Sequence, residues 1–75
     1  MFVCIKSIDD AKNFCRILSA FTLHFDLTAG RNVVDAKSLV GVINLVGLKS
    51  KLICVSPATP EELEEVKKAL EDYLV

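Results

Sequence analysis

The sequence holds one histidine, one methionine, no tryptophan and three cysteines, and these scarcities exclude several classes of function. A structural zinc site takes four Cys or His ligands at close, regular spacing. Cys4, Cys15 and Cys54 have no C-x-x-C spacing and His24 is the only histidine, so no metal site is expected and the cysteines read as small apolar residues. One isolated histidine also leaves no Ser-His-Asp, Cys-His or paired-carboxylate constellation that can be assembled without inventing a partner. Neither catalysis nor a cofactor is expected. No apolar run approaches the roughly 20 residues that span a bilayer, which argues against membrane insertion. Nine Lys and Arg against ten Asp and Glu give a net charge of -1, and the cations are scattered rather than gathered into the basic stripe that nucleic acid requires. An odd cysteine count with no basic-then-apolar leader fits a reducing, cytoplasmic setting.

What is present is a globular composition, 52% hydrophobic and 25% charged over 75 residues, enough for one domain over residues 1–75 with a small core. Residues 1–6 alternate as a strand with Met1, Val3 and Ile5 on one side and Phe2 and Cys4 on the other. Ser7 with Asp10 resembles a capping box opening a first helix, whose buried stripe is Ala11, Phe14, Cys15 and Leu18, with Phe21 closing it. Residues 22–27 alternate with Leu23, Phe25 and Leu27 inward. Gly30 supplies a turn to a third strand over 32–36, giving an antiparallel hairpin. Ser38 then precedes an apolar run read as a helix over 39–46, with Ser38 as its N-cap. Val42 and Leu45 face the sheet and Leu39, Val40 and Ile43 point outward, an apolar outer face that reads as a docking surface. Residues 51–56 form the fourth strand. Thr59, Pro60, Glu61 and Glu62 open a third helix that runs to the C-terminus, with Leu63, Val66, Leu70 and Tyr73 buried, Ala69 and Leu74 beside them, and a Glu64–Lys68 pair outside.

The order βαββαβα with every helix on one face is an α+β, two-layer open-faced sandwich. Right-handed crossover of the first strand, first helix and second strand leaves a place for the fourth strand between them, so the sheet order is 1-4-2-3, all antiparallel.

The stretch Asp35-Ala36-Lys37-Ser38-Leu39-Val40-Gly41 resembles the regulatory-serine segment of HPr, the small phosphocarrier of the bacterial sugar phosphotransferase system, and HPr shares the sheet order derived above. The resemblance implies an HPr-like protein that docks protein partners of a phosphotransferase network through Lys37, Leu39, Val40 and Ile43, with Ser38 the candidate for regulatory phosphorylation. In HPr the phosphoryl group is carried by a histidine in a His-Ala-Arg-Pro motif at the start of the first helix. Here that place is Lys6-Ser7-Ile8. The motif is missing, so a regulatory or interaction role in sugar transport, without the carrier histidine, is the leading reading. Each feature also has a plainer one: Ser38 as a cap only, the outward trio as ordinary surface aliphatics, His24 as an exposed strand residue. The alternative function is a stand-alone structural module that self-associates, with no part in sugar transport. If Ile53 and Val55 face the helices, then Phe2, Cys4, Leu52 and Cys54 form one apolar patch on the open sheet face, and a weak homodimer through that patch is expected, with Cys4 and Cys54 near each other.

Overall fold

The computed structural model describes residues 1–75 and arranges them as β1 (Phe2–Cys4), α1 (Ile8–Ser19), β2 (Phe25–Ala29), β3 (Asn32–Asp35), α2 (Leu39–Ile43), β4 (Lys49–Cys54) and α3 (Pro60–Ala69). The four strands form one sheet in the order β1-β4-β2-β3, every neighbour antiparallel. All three helices share one core with one face of this sheet.

Local chemistry sets the element boundaries. The Ser7 hydroxyl accepts the Asp10 N–H at 3.1 Å, and Asp9 and Asp10 place negative charge in the first turn of α1, where the helix dipole favours it. The stripe of α1 is the expected one: Ala11, Phe14, Cys15 and Leu18 are buried, and full burial of a side chain such as Phe14 or Leu18 contributes about 1.5–3 kcal/mol. Gly30 takes φ 60 in a two-residue turn between Ala29 and Asn32, so the hairpin depends on the one residue type that adopts this conformation without cost. α3 opens with a full capping box, Thr59 Oγ1 accepting from the Glu62 N–H and Glu62 Oε1 from the Thr59 N–H, with Pro60 in the first turn.

β2 covers Phe25–Ala29 where residues 22–27 were expected, because Thr28 and Ala29 pair with Val33 and Asn32 and only Gly30 and Arg31 form the turn. Four further expectations change. First, β4 runs from Lys49 to Cys54, two residues earlier than residues 51–56, and its phase is reversed. Ser50 and Leu52 face the helices at 2% and 3% exposure, while Ile53 and Val55 are exposed. The apolar patch built on Phe2, Cys4, Leu52 and Cys54 therefore does not exist. Leu52 is in the core, Cys54 sits opposite the buried Phe25, and Cys4 pairs with Lys49 on the other face of the sheet, so Cys4 and Cys54 do not meet. The physical reason is that residues 52–55 are all apolar, so alternation carries no phase, and the deciding inward residue is a serine. Ser50 is tolerated there because its hydroxyl donates to the Leu48 carbonyl at 3.2 Å.

Second, α3 ends at Ala69 instead of reaching the C-terminus. After a turn, Leu74 bridges Val3, the Cys4 N–H donates to the Tyr73 carbonyl at 2.9 Å and the Val75 N–H to the Phe2 carbonyl at 3.1 Å. This segment covers the outer edge of β1, which would otherwise present unpaired backbone. Tyr73 packs edge-on against Phe14 at 5.7 Å. Third, of the expected α3 stripe only Val66 and Leu70 are buried, Leu63 and Tyr73 are half-buried, Ala69 is exposed, and Glu64 pairs with Lys67 instead of Lys68. Fourth, the regular part of α2 closes at Ile43 and continues as turns to Gly47, whose φ is 87.

Candidate functional site

Two places in this fold bear on function: the start of α1 and the start of α2. At the first, Lys6, Ser7 and Ile8 are all exposed. The Ser7 hydroxyl is already engaged as the cap, and the carboxylates of Asp9 and Asp10 occupy the turn whose amides would otherwise attract an anion. A phosphoryl group arriving there would meet like charge. His24 is no substitute. Its carbonyl accepts from the Val55 N–H and its N–H donates to Ser56 Oγ at 2.9 Å, which sets it level with Val55, whereas β1 enters α1 from the level of Lys49. Six residues of strand separate the two levels, about 20 Å.

The second place is built more tightly. Asp35, the last residue of β3, accepts the Lys37 N–H on Oδ1 at 2.9 Å and the Ser38 N–H on its carbonyl at 3.0 Å, so its side chain shapes the turn into α2. Between them Ala36 is fully buried, its N–H donating to the Phe25 carbonyl at 3.0 Å and its carbonyl accepting from the Cys15 thiol at 3.6 Å. The Lys37 amine donates to the Phe21 carbonyl at 2.6 Å, tying the turn to the end of α1. Ser38 is the N-cap residue by position, its carbonyl accepting from the Val42 N–H at 2.9 Å, yet its hydroxyl makes no capping bond and is exposed. The expected side-chain cap is thus absent, since Asp35 already fixes the turn. Burial and the nearby Asp35 carboxylate push the Cys15 thiol pKa above its ordinary value.

The outward trio divides. Val40 is 77% exposed, while Leu39 and Ile43 are half-buried and pack against the core with their inner edges. Val42 and Leu45 are buried as expected. Beyond α2, Leu48 is 46% exposed, an apolar surface residue in the connection to β4. Sequence reading also missed the roles of Asp35 and of the Lys37 amine. For Asp35 a signal existed, an Asp two residues ahead of the amide it binds. For the amine there was none, because its partner is a backbone carbonyl 16 residues away.

A four-stranded sheet in this order with three helices on one face is the HPr-like open-faced sandwich. The chain is similar to a solved structure, HPr-C-His from Thermoanaerobacter tengcongensis, at 28% sequence identity and a TM-score of 0.71, over 96% of this chain and 85% of that chain. The chain has the HPr fold. No protein-family model and no curated protein matches it.

Proposed function

We propose that this chain is a non-catalytic, HPr-like regulatory or interaction protein of a bacterial sugar phosphotransferase network, acting in the cytoplasm and docking protein partners through α2. The observation that carries the reading is the contrast between the two helix starts. The α2 start keeps the Lys37-Ser38-Leu39-Val40 sequence on an exposed turn of an HPr fold, whereas the α1 start has a capped serine and two aspartates where a phosphocarrier needs a histidine and room for an anion. Partners bind Val40 with the exposed parts of Leu39 and Ile43, and Lys37 contributes at the edge.

Ser38 is the regulatory phosphorylation site in this reading. Its hydroxyl is exposed and free of any capping bond, so a kinase acts on it without breaking the helix start. The added charge falls beside Val40, and a dianion there alters an apolar docking surface. The test is a titration of isotopically labelled protein with the first enzyme of the phosphotransferase system, followed by amide shifts. Shifts centred on Ser38 to Ile43 that vanish in Val40→Arg support the reading. Absence of shifts, or shifts confined to the open sheet face, overturns it.

A further inference from the structure

The sheet face opposite the helices is uncovered and carries a charge pattern with no counterpart elsewhere in the molecule. The register places Asp26 directly opposite Asp35 across β2 and β3, and like charges so opposed are destabilising. On the same face Lys49 and Lys51 follow each other along β4 as exposed residues, Lys49 lying 4.9 Å over the Phe2 ring. None of these four charges belongs to an ion pair; the single one in the molecule is Glu64–Lys67 on α3. Asp26 thus sits one strand, and Asp35 two strands, from two cations that have no ion-pair partner, with Ile53, 37% exposed, beside Asp26 and two residues on from Lys51.

We propose that this face is the interface of a weak homodimer, held by reciprocal Lys51–Asp26 and Lys49–Asp35 pairs around a central Ile53. The partner is a second copy because the pattern is self-complementary. Strands lie about 4.8 Å apart and successive outward residues about 7 Å apart along a strand. A two-fold axis lying in the interface, passing over Ile53 and midway between Lys51 and Asp26, carries Lys51 onto the other copy's Asp26. The same operation carries Lys49 close to the other copy's Asp35 and brings Ile53 against its own equivalent, as an isologous contact requires. The strands of the two sheets then cross steeply, in the orthogonal class of sheet packing. The face is only four short strands wide, smaller than the roughly 800 Å² per copy of a standard interface, so association is weak and its specificity rests on charge. The dimer leaves α2 free on both copies, so a dimeric partner would be engaged at two points.

The experiment is sedimentation equilibrium at high micromolar concentration. Wild type is expected to dimerise at low salt and to dissociate at high salt, because solvent-exposed pairs are screened. Two variants that circular dichroism shows to be folded, Lys51→Glu and Asp26→Lys, are each expected to be monomeric. Their equimolar mixture is expected to associate about tenfold more tightly than wild type. A control mixture of Lys68→Glu with Glu65→Lys carries the same net charges on α3 and is expected to show no gain over wild type. A wild type that stays monomeric, association that does not weaken with salt, or a control mixture that associates as well as the test mixture overturns the proposal. The salt series uses the unmodified protein, so it decides the matter even where a variant fails to fold.

Discussion

Gly41 of α2 lies so close against Val34 of β3 that a Cβ added at Gly41 would stand 2.9 Å from the Val34 Cβ. Real Cβ atoms do not approach so near, and the atom in the way is the Cβ of a β-branched strand residue, tied directly to its backbone, rather than the far end of a flexible side chain. Glycine inside a helix costs about 1 kcal/mol in propensity, so its presence in a five-residue helix needs a compensating reason. The reason is contact: without a side chain at Gly41, α2 settles directly on β3, and the settled helix presents Val40 to solvent.

Gly41→Ala is therefore expected to destabilise by about 1 kcal/mol or more, the overpacking cost exceeding the gain in helix propensity. Urea titration measures it. In a double-mutant cycle with Val34→Gly, which removes the opposing Cβ, the pair should show favourable coupling of about 1–2 kcal/mol. A stabilised Gly41→Ala variant would mean that α2 does not sit this close to β3.

The two N-caps separate in the same assay. Thr59 makes both bonds of a capping box, and Thr59→Ala should cost about 1 kcal/mol. Ser38 makes none with its side chain, so Ser38→Ala should cost no more than about 0.5 kcal/mol. Equal losses at the two positions would show that the Ser38 hydroxyl closes onto α2 in solution.

These contrasts mark how far the sequence could be read. Amphipathic stripes were legible on α1 and β2, where polar residues separated them: Ala11, Phe14, Cys15 and Leu18 on α1, and Leu23, Phe25 and Leu27 along β2 and its approach, are buried as their spacing indicates, whereas on α3 only Val66 and Leu70 are. The strand order followed from chain direction and crossover hand. β4 failed because Leu52 to Val55 offers four apolar residues in a row, and a run without alternation has no phase until a partner strand supplies it. Only its pairing with Leu27 fixes Leu52 inward. At the candidate site, Ser38 was legible as an N-cap by position. Which side chain shapes the turn was not, because Asp35 and Ser38 are both competent to accept a backbone N–H there and three-dimensional fit selects between them.

Incubation with the phosphotransferase system's first enzyme and phosphoenolpyruvate should leave the protein unmodified by mass spectrometry. Asp9 and Asp10 repel an incoming phosphoryl group at the α1 start, and His24 is held by backbone bonds beside Val55 and Ser56, just beyond β4 and at the opposite end of the sheet from that start. A phosphohistidine at His24, formed as fast as on HPr under the same conditions, would refute both statements.

Cys15 is expected to make stability fall at alkaline pH. The residue is 7% exposed, and its thiol donates to the Ala36 carbonyl and has a pKa raised above 9.0, first by burial and then by the Asp35 carboxylate. Since the folded state holds this proton more tightly than the unfolded one, the unfolded chain binds fewer protons as pH passes 9, and unfolding is favoured. The contribution is complete below the unfolded pKa and is lost as pH climbs toward the raised folded value. Tyr73 acts with the same sign from about pH 10 upward, its hydroxyl pushed up by burial and by Asp10 and Asp72 against a smaller opposing effect of Arg16. The urea midpoint should accordingly be flat below pH 9 and fall above it. Cys15→Ala should start from a lower midpoint, because it leaves a small cavity, but lose less of it between pH 9 and 10. Alkylation gives a second readout: in the native protein the half-buried Cys4 and Cys54 should react first, and Cys15 only as fast as the core opens. A midpoint that stays level through pH 10, or a Cys15 that alkylates as fast as Cys4, would place the thiol at the surface and break the link between α1 and the Asp35 turn that supports α2.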